Sequence, residues 1–104
     1  MEKVIRDGKV AVLISHGFGA GWYTWNSENQ ELLFDPKLVE MVESGKANEI
    51  DGDWVKENIG IEDVYCGGAK DLIIHWLDVG TAFVVEEYDG AESLRTLDDL
   101  TIVA

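Results

Sequence analysis

The residues best suited to bind a ligand or a partner lie between positions 17 and 25. Glycines alternate with other residues there and a run of aromatic side chains follows; the candidate contact residues are Phe18, Gly19, Gly21, Trp22, Tyr23 and Trp25. Closely spaced glycines disfavour regular structure and predict a loop. Because loops are mostly exposed and Trp and Tyr are favoured at binding hot spots, the loop is predicted to line a small-ligand pocket or a protein-docking surface. The alternative is that its rings cover the core.

The second candidate feature is a concentration of acidic residues in the C-terminal half. Residues 1–48 carry 7 acidic and 5 basic side chains, whereas residues 49–104 carry 14 acidic and 3 basic ones. The contact residues that we assign to this acidic half are Glu86, Glu87 and Asp89. The pattern predicts either a face that binds a basic partner or a surface that only keeps the protein in solution.

Residues suited to covalent or metal chemistry are few and scattered. The soft metal ligands are His16, Cys66 and His75, which lack paired spacing, so neither a metal nor a cofactor is predicted. His75 is predicted to be a half-buried packing residue of a strand, and Cys66 a buried small residue. Adjacent Glu86 and Glu87 point to opposite faces of a strand and are not predicted to form a catalytic pair.

Residues 12–25 resemble the strand and the His-Gly loop of the α/β-hydrolases, in which backbone N–H groups bind a developing oxyanion. The chain has no Gly-x-Ser-x-Gly segment and is too short for that fold, so we interpret this resemblance as coincidental. A small hydrolase that uses Ser15 and His16 stays as an alternative. The glycines at 17, 19 and 21 also depart from the dinucleotide-binding pattern at Trp22.

Composition limits the classes of protein that fit. The 104 residues, 46% of them hydrophobic, predict one folded domain over residues 1–104. A net charge of −13 argues against binding nucleic acid or an anionic membrane, because both require an excess of Lys and Arg. The longest apolar run, residues 10–14, is far shorter than a membrane span. A single cysteine and the lack of a signal-peptide pattern predict a cytoplasmic protein.

Two short helices have recognisable ends. Asp35 is predicted to cap a helix that begins at Pro36 and ends before Gly45. Asp51 is predicted to cap a second helix that ends before Gly60. Helices of about two to three turns are marginal by themselves, so both must pack on a sheet.

The remaining segments predict strands. Asp7-Gly8 favours a type I′ turn that leads into a central strand over 10–14, which is apolar on both faces and therefore covered on both sides. Further strands are predicted over 61–66, 72–77, 81–88, 93–96 and 100–103. The predicted fold is α+β, with a mostly antiparallel sheet of about five to six strands and both short helices packed on one face.

Three segments resemble small accessory proteins encoded by bacteriophages and prophages: residues 17–26 (Gly-Phe-Gly-Ala-Gly-Trp-Tyr-Thr-Trp-Asn), 33–36 (Leu-Phe-Asp-Pro) and 87–94 (Glu-Tyr-Asp-Gly-Ala-Glu-Ser-Leu). The resemblance implies the cytoplasm of an infected bacterium as the setting and assigns no residue roles. We therefore expect a non-enzymatic protein that binds a host protein, for example to antagonise a defence or nucleic-acid-processing factor. A nucleotide- or sugar-binding protein that uses the 17–25 loop is the alternative. A thin core with four tryptophans also favours a homodimer.

Overall fold

The computed structural model describes residues 1–96 and has an α+β fold with two α-helices and five strands in that range. The strands are β1 (Ile5–Arg6), β2 (Lys9–Ser15), β3 (Leu72–Asp78), β4 (Phe83–Tyr88) and β5 (Ala91–Thr96), and the helices are α1 (Pro36–Glu43) and α2 (Gly52–Asn58). Short 3₁₀ helices at Tyr23–Trp25, Gln30–Leu33, Ala47–Glu49 and Ala69–Asp71 lie in the connections. The strand predicted at 100–103 lies outside the described residues.

The strands form two antiparallel sheets, so the prediction of a single sheet is wrong. Strands β1, β2 and β3 form one sheet in that order, and β4 and β5 form a separate hairpin. The two sheets meet through side chains: Val10 and Val12 of β2 belong to the same hydrophobic cluster as Phe83 and Val85 of β4. Residues 61–66, which were predicted as a strand, form none, because Asp63 adopts a left-handed φ of 61° that interrupts an extended run.

Strand β2 is the centre of the fold and is buried along nearly its whole length, as its two apolar faces predict. Ala11 and Leu13 on one face share a cluster with Leu38 of α1 and Val55 of α2, so both helices contribute to the core on this side. The opposite face is covered by the β4–β5 hairpin and by Phe34. The end of β2 is therefore held between two packed layers, and the 17–25 loop begins there.

The predicted turn and cap chemistry is confirmed. Asp7 and Gly8 have φ values of 52° and 75°, the left-handed pair that a type I′ turn requires. The Asp35 carboxylate accepts a hydrogen bond from Lys37 N at 2.8 Å, and the Asp51 carboxylate accepts one from Trp54 N at 2.8 Å. These caps begin α1 and α2 at the predicted positions.

An exposed ion pair joins β1 to the end of α1. The Arg6 guanidinium donates to both carboxylate oxygens of Glu43, at 2.6 and 2.8 Å. These hydrogen bonds hold the pKa of Glu43 below its ordinary value. Among the described residues, no helix is long and apolar enough to cross a membrane.

Candidate binding surface around a buried glutamate

The 17–25 loop is held in place by one buried carboxylate, that of Glu92 on β5. Glu92 is 4% exposed. Its Oε1 accepts from Ser15 N at 2.8 Å, and its Oε2 accepts from Trp22 N at 3.0 Å. The same Oε2 accepts from Thr24 N at 2.8 Å and from Thr24 Oγ1 at 2.7 Å. One side chain thus binds the end of β2 and the far end of the loop through four charge-assisted hydrogen bonds, which are stronger than bonds between neutral groups.

Sequence reasoning missed Glu92 because the strand was predicted to begin at residue 93. A signal was nevertheless available, since a hairpin closed by Asp89-Gly90 pairs Glu92 directly with Glu87. Two carboxylates opposite each other in an antiparallel pair repel unless each has its own donors. In the structure the loop provides those donors to both of them, because Trp25 Nε1 donates to Glu87 Oε2 at 2.7 Å.

Two glycines allow the loop to lie against the rest of the fold. A Cβ at Gly68 would approach the carbonyl oxygens of Gly21 and Ala20 to 2.5 and 2.6 Å, so no larger residue fits there. Gly90 lies against the backbone of Gly19 and Ala20 in the same way. Gly19 N also donates to the Asp89 carbonyl at 2.6 Å. The loop backbone is therefore enclosed between residue 68 and the β4–β5 turn.

The aromatic residues of the loop divide into core and surface. Trp22 is completely buried, and its Nε1 donates to the Leu32 carbonyl at 2.8 Å, so this predicted contact residue lies in the core. Gly21 is also buried, and Tyr23 is partly buried. In contrast, Phe18 is 74% exposed and Trp25 is 44% exposed. The loop therefore contributes the Trp22 ring to the core and leaves the rings of Phe18 and Trp25 exposed.

Trp25 forms an ordered aromatic pair with Tyr65, which sequence reasoning did not single out. The two ring centroids are 5.1 Å apart with an interplanar angle of 26°. Asn26 fixes the pair, because its amide donates to the Tyr65 carbonyl at 2.9 Å and its Oδ1 accepts from Tyr65 N at 2.9 Å. The same amide donates to the Trp22 carbonyl at 2.8 Å. The stacked rings are thus tied to the core and remain half-exposed.

These contacts place three exposed aromatic residues on the loop and on the segment beside it. We call this group the aromatic surface; it consists of Phe18, Trp25 and Tyr65. Tyr88 is 79% exposed, but its side chain points to the face of the hairpin opposite that of Glu87. The aromatic surface is held together by the Trp25–Tyr65 stack, by the hydrogen bond from Trp25 to Glu87, and by the hydrogen bond between Gly19 and Asp89. Exposed aromatic groups of this kind are typical of interaction sites.

Carboxylates border the aromatic surface. A polar cleft of about 360 Å³ beside Trp25 is lined by Glu28, Glu62 and Asp63. Glu62 makes an exposed ion pair with Lys56 at 3.4 Å, whereas Asp63 and Asp89 make no ion pair within the described part of the chain. Glu86 pairs with Arg95 at 3.2 Å on the solvent face of the hairpin. Uncompensated negative charge therefore lies next to exposed rings.

The residues suited to covalent chemistry are not brought together. Ser15 is completely buried and its Oγ has no hydrogen-bond partner, whereas His16 is exposed. His75 is exposed on β3, so its predicted half-buried position is wrong. Cys66 is only partly buried; burial, and secondarily the charge of Asp51, raise the pKa of its thiol to about 11.

The loop also does not offer a free anion site of the hydrolase kind. The N–H groups of Ser15, Trp22 and Thr24 point at Glu92, which occupies the place of an oxyanion. No group of three or more His, Cys, Asp or Glu residues within 1–96 is arranged to hold a metal ion. No protein-family model, curated protein or solved structure matches this chain.

Proposed function

We propose that this chain is a non-enzymatic accessory protein of the phage type that binds a host protein through the aromatic surface. The observation that carries the proposal is the buried Glu92 carboxylate, which fixes the path of the loop. On this path Trp22 packs in the core, whereas Phe18 and Trp25 stay exposed. Ordered, exposed rings lose little conformational entropy when a partner covers them, and Trp and Tyr are the residues most often found at hot spots.

The carboxylates next to the aromatic surface define the kind of partner that fits. We call Asp63, Glu87 and Asp89 the acidic border, and the chain as a whole has a net charge of −13. A partner with Lys or Arg residues around an apolar contact is attracted by this field and can place a guanidinium on the Trp25 ring. Host proteins that act on nucleic acids carry such surfaces, and a defence or nucleic-acid-processing factor in the bacterial cytoplasm is the proposed target class.

The experiment is capture of a partner from a bacterial lysate with the tagged full-length chain and matched variants. Trp25→Ala/Tyr65→Ala removes the stacked pair, and Phe18→Ser removes the most exposed ring of the loop. Ile5→Ala/Val79→Ala is the control, because these side chains are 55% and 57% exposed but lie outside the aromatic surface. The proposal expects a protein that the wild type and the control retain and both aromatic variants lose. Equal recovery by all four proteins contradicts it.

A pair of isosteric substitutions that remove charge tests the acidic border separately. Asp63 and Asp89 have left-handed φ values of 61° and 49°, which Asn also tolerates, so Asp63→Asn/Asp89→Asn removes two charges and keeps the turns. Capture by this variant should weaken, and the difference from the wild type should shrink as salt is added. Unchanged capture at low salt contradicts the role of the acidic border.

A further inference from the structure

Within residues 1–96, strand β4 is paired along one edge only. In the hairpin closed by Asp89-Gly90, paired residues alternate between those that exchange backbone hydrogen bonds and those that do not. The register therefore directs the N–H and C=O groups of Phe83, Val85 and Glu87 away from β5. Within the described residues these groups have no hydrogen-bond partner. Proteins usually protect such an edge with charged side chains, most often Lys, or with Pro; β4 (Phe-Val-Val-Glu-Glu-Tyr) has neither Lys nor Pro, and its charges are Glu86 and Glu87 near the turn.

A groove of about 500 Å³ runs beside this edge. Its walls include Leu33, Phe34, Phe83 and Val85, and Lys3 lies at its side with its ammonium 4.5 Å from the centre of the Phe34 ring. Among residues 1–96, no carboxylate lines the groove. An open strand edge next to an apolar groove with one cation is the arrangement that accepts an added β-strand.

We propose that the added strand is β4 of a second copy of this chain, paired antiparallel about a two-fold axis at Val85. Such an interface is isologous, since each copy offers the same edge to the other. It places Phe83 opposite Glu87 of the partner subunit and Val84 opposite Glu86 of the partner subunit. The two hairpins would then form one four-stranded sheet, with an aromatic surface on each copy.

Charge favours this register over those with an axis closer to the β4–β5 turn. An axis at Glu86 or at Glu87 would place identical carboxylates face to face across the pair, which is unfavourable. The axis at Val85 places each carboxylate opposite an apolar residue. It also brings Glu87 of the partner subunit to the part of the groove that holds Lys3 and Phe83, so that opposite charges meet.

Salt should promote this self-association. Each copy carries a charge of −13, so two copies repel at long range. The screening length falls from about 30 Å at about 0.01 M salt to about 3 Å at about 1 M salt. Screening removes the long-range repulsion and leaves the backbone hydrogen bonds and apolar contacts of the edge intact.

Sedimentation equilibrium of the full-length chain tests the interface. The wild type should be a dimer at about 1 M salt. The variants are compared with it at about 0.15 M salt, where charges are screened less, and Val84→Glu, opposite Glu86 of the partner subunit, should there weaken dimerisation at least about tenfold. Val84 is 45% exposed and lies opposite Arg95 on β5, so the Glu variant should fold. The matched control is Val79→Glu, an exposed valine before β4, which should leave the dimer unchanged.

Two results would overturn the interface. The first is a monomeric wild type at protein concentrations up to about 1 mM in about 1 M salt. The dissociation constant of the dimer would then lie above about 1 mM, which is too weak for a specific interface. The second is equal weakening of the dimer by Val84→Glu and Val79→Glu, which would assign the effect to added charge.

Hydrogen exchange locates the contact without relying on the variants alone. The Val85 amide points outward from the hairpin, whereas the Val84 amide faces Arg95 on β5. In the dimer both amides should exchange slowly. In Val84→Glu the amide of residue 85 should become fast while that of residue 84 stays slow. Fast exchange at Val85 in a dimeric wild type would exclude β4 as the interface.

Discussion

Glu87 and Glu92 lie directly opposite each other in the β4–β5 hairpin, and both carboxylates take their hydrogen-bond donors from residues 15–25. Glu92 is buried and binds backbone N–H groups, whereas Glu87 is exposed and binds the indole of Trp25. One carboxylate therefore fixes the path of the loop, and the other orients an exposed ring. The contact between the hairpin and the loop defines the aromatic surface.

Replacing Glu92 with Gln should destabilise the fold strongly. The amide nitrogen cannot accept hydrogen bonds, so it would leave unpaired either the N–H group of Ser15 or those of Trp22 and Thr24. The free energy of unfolding should fall by about 3 kcal/mol. Urea denaturation measures it, with Glu86→Gln as the control, because that exposed carboxylate makes only a surface ion pair and should change stability by no more than about 1 kcal/mol. Equal effects of the two substitutions would contradict the role of Glu92.

Replacing Trp22 and replacing Trp25 should lower the free energy of unfolding by very different amounts, although the two residues are only three positions apart. Trp22→Ala removes a fully buried ring and should lower the free energy of unfolding by about 3–5 kcal/mol. Trp25→Ala removes a half-exposed ring and should lower it by no more than about 1 kcal/mol. Denaturation curves of the two variants check this, and a large loss of stability in Trp25→Ala would show that the ring supports the core.

Gly68→Ala should disturb the loop even though Gly68 has a φ of −93°, which any residue adopts. The added methyl group would collide with the carbonyl oxygens of Ala20 and Gly21, so the fold should lose about 1–3 kcal/mol. Gly8→Ala is an informative comparison, since its Cβ meets open space and only the left-handed φ of 75° opposes it. Its loss should be about 1 kcal/mol. A Gly68→Ala protein as stable as the wild type would contradict the close packing of the loop.

The Cys66 thiol should react slowly with alkylating reagents near neutral pH. Burial and Asp51 raise its pKa to about 11 from an ordinary 9.0, so little thiolate is present at pH 8. The alkylation rate should reach half of its maximum near pH 11 in the folded protein and near pH 9 in urea. Because the unfolded thiol ionises first, stability contributed by this group should be lost as the pH rises from about 9 to about 11. A folded-state reaction profile centred near pH 9 would contradict the environment assigned to Cys66.

Local chemistry made much of the fold predictable. The caps Asp35 and Asp51 and the Asp7-Gly8 turn act within a few residues, so the sequence alone identifies where α1, α2 and β2 begin. The separation of the strands into two sheets was not predictable in this way, because periodicity indicates which faces of a strand are buried and does not say whether the cover is a hydrogen-bonded neighbour or a packed hairpin.

The candidate site was predictable only in part, for a related reason. The glycine and aromatic pattern correctly located a loop, but it did not distinguish buried Trp22 from exposed Trp25, since that depends on the distant Leu32 carbonyl and Glu87 carboxylate. Tyr65 and Glu92 are 40 to 77 residues away from the ring or N–H groups that they contact. Contacts at such separation leave no periodic signal in the sequence.

The affinity of the captured host protein for the wild type and for Trp25→Ala tests the central claim most directly. Isothermal titration should show binding weakened by about 30-fold or more in Trp25→Ala, which corresponds to the 2 kcal/mol that defines a hot spot, with the Val79→Ala control equal to the wild type. Urea denaturation of the same samples would confirm that both variants are folded. A folded Trp25→Ala protein that binds as tightly as the wild type would contradict the assignment of the aromatic surface as the binding site.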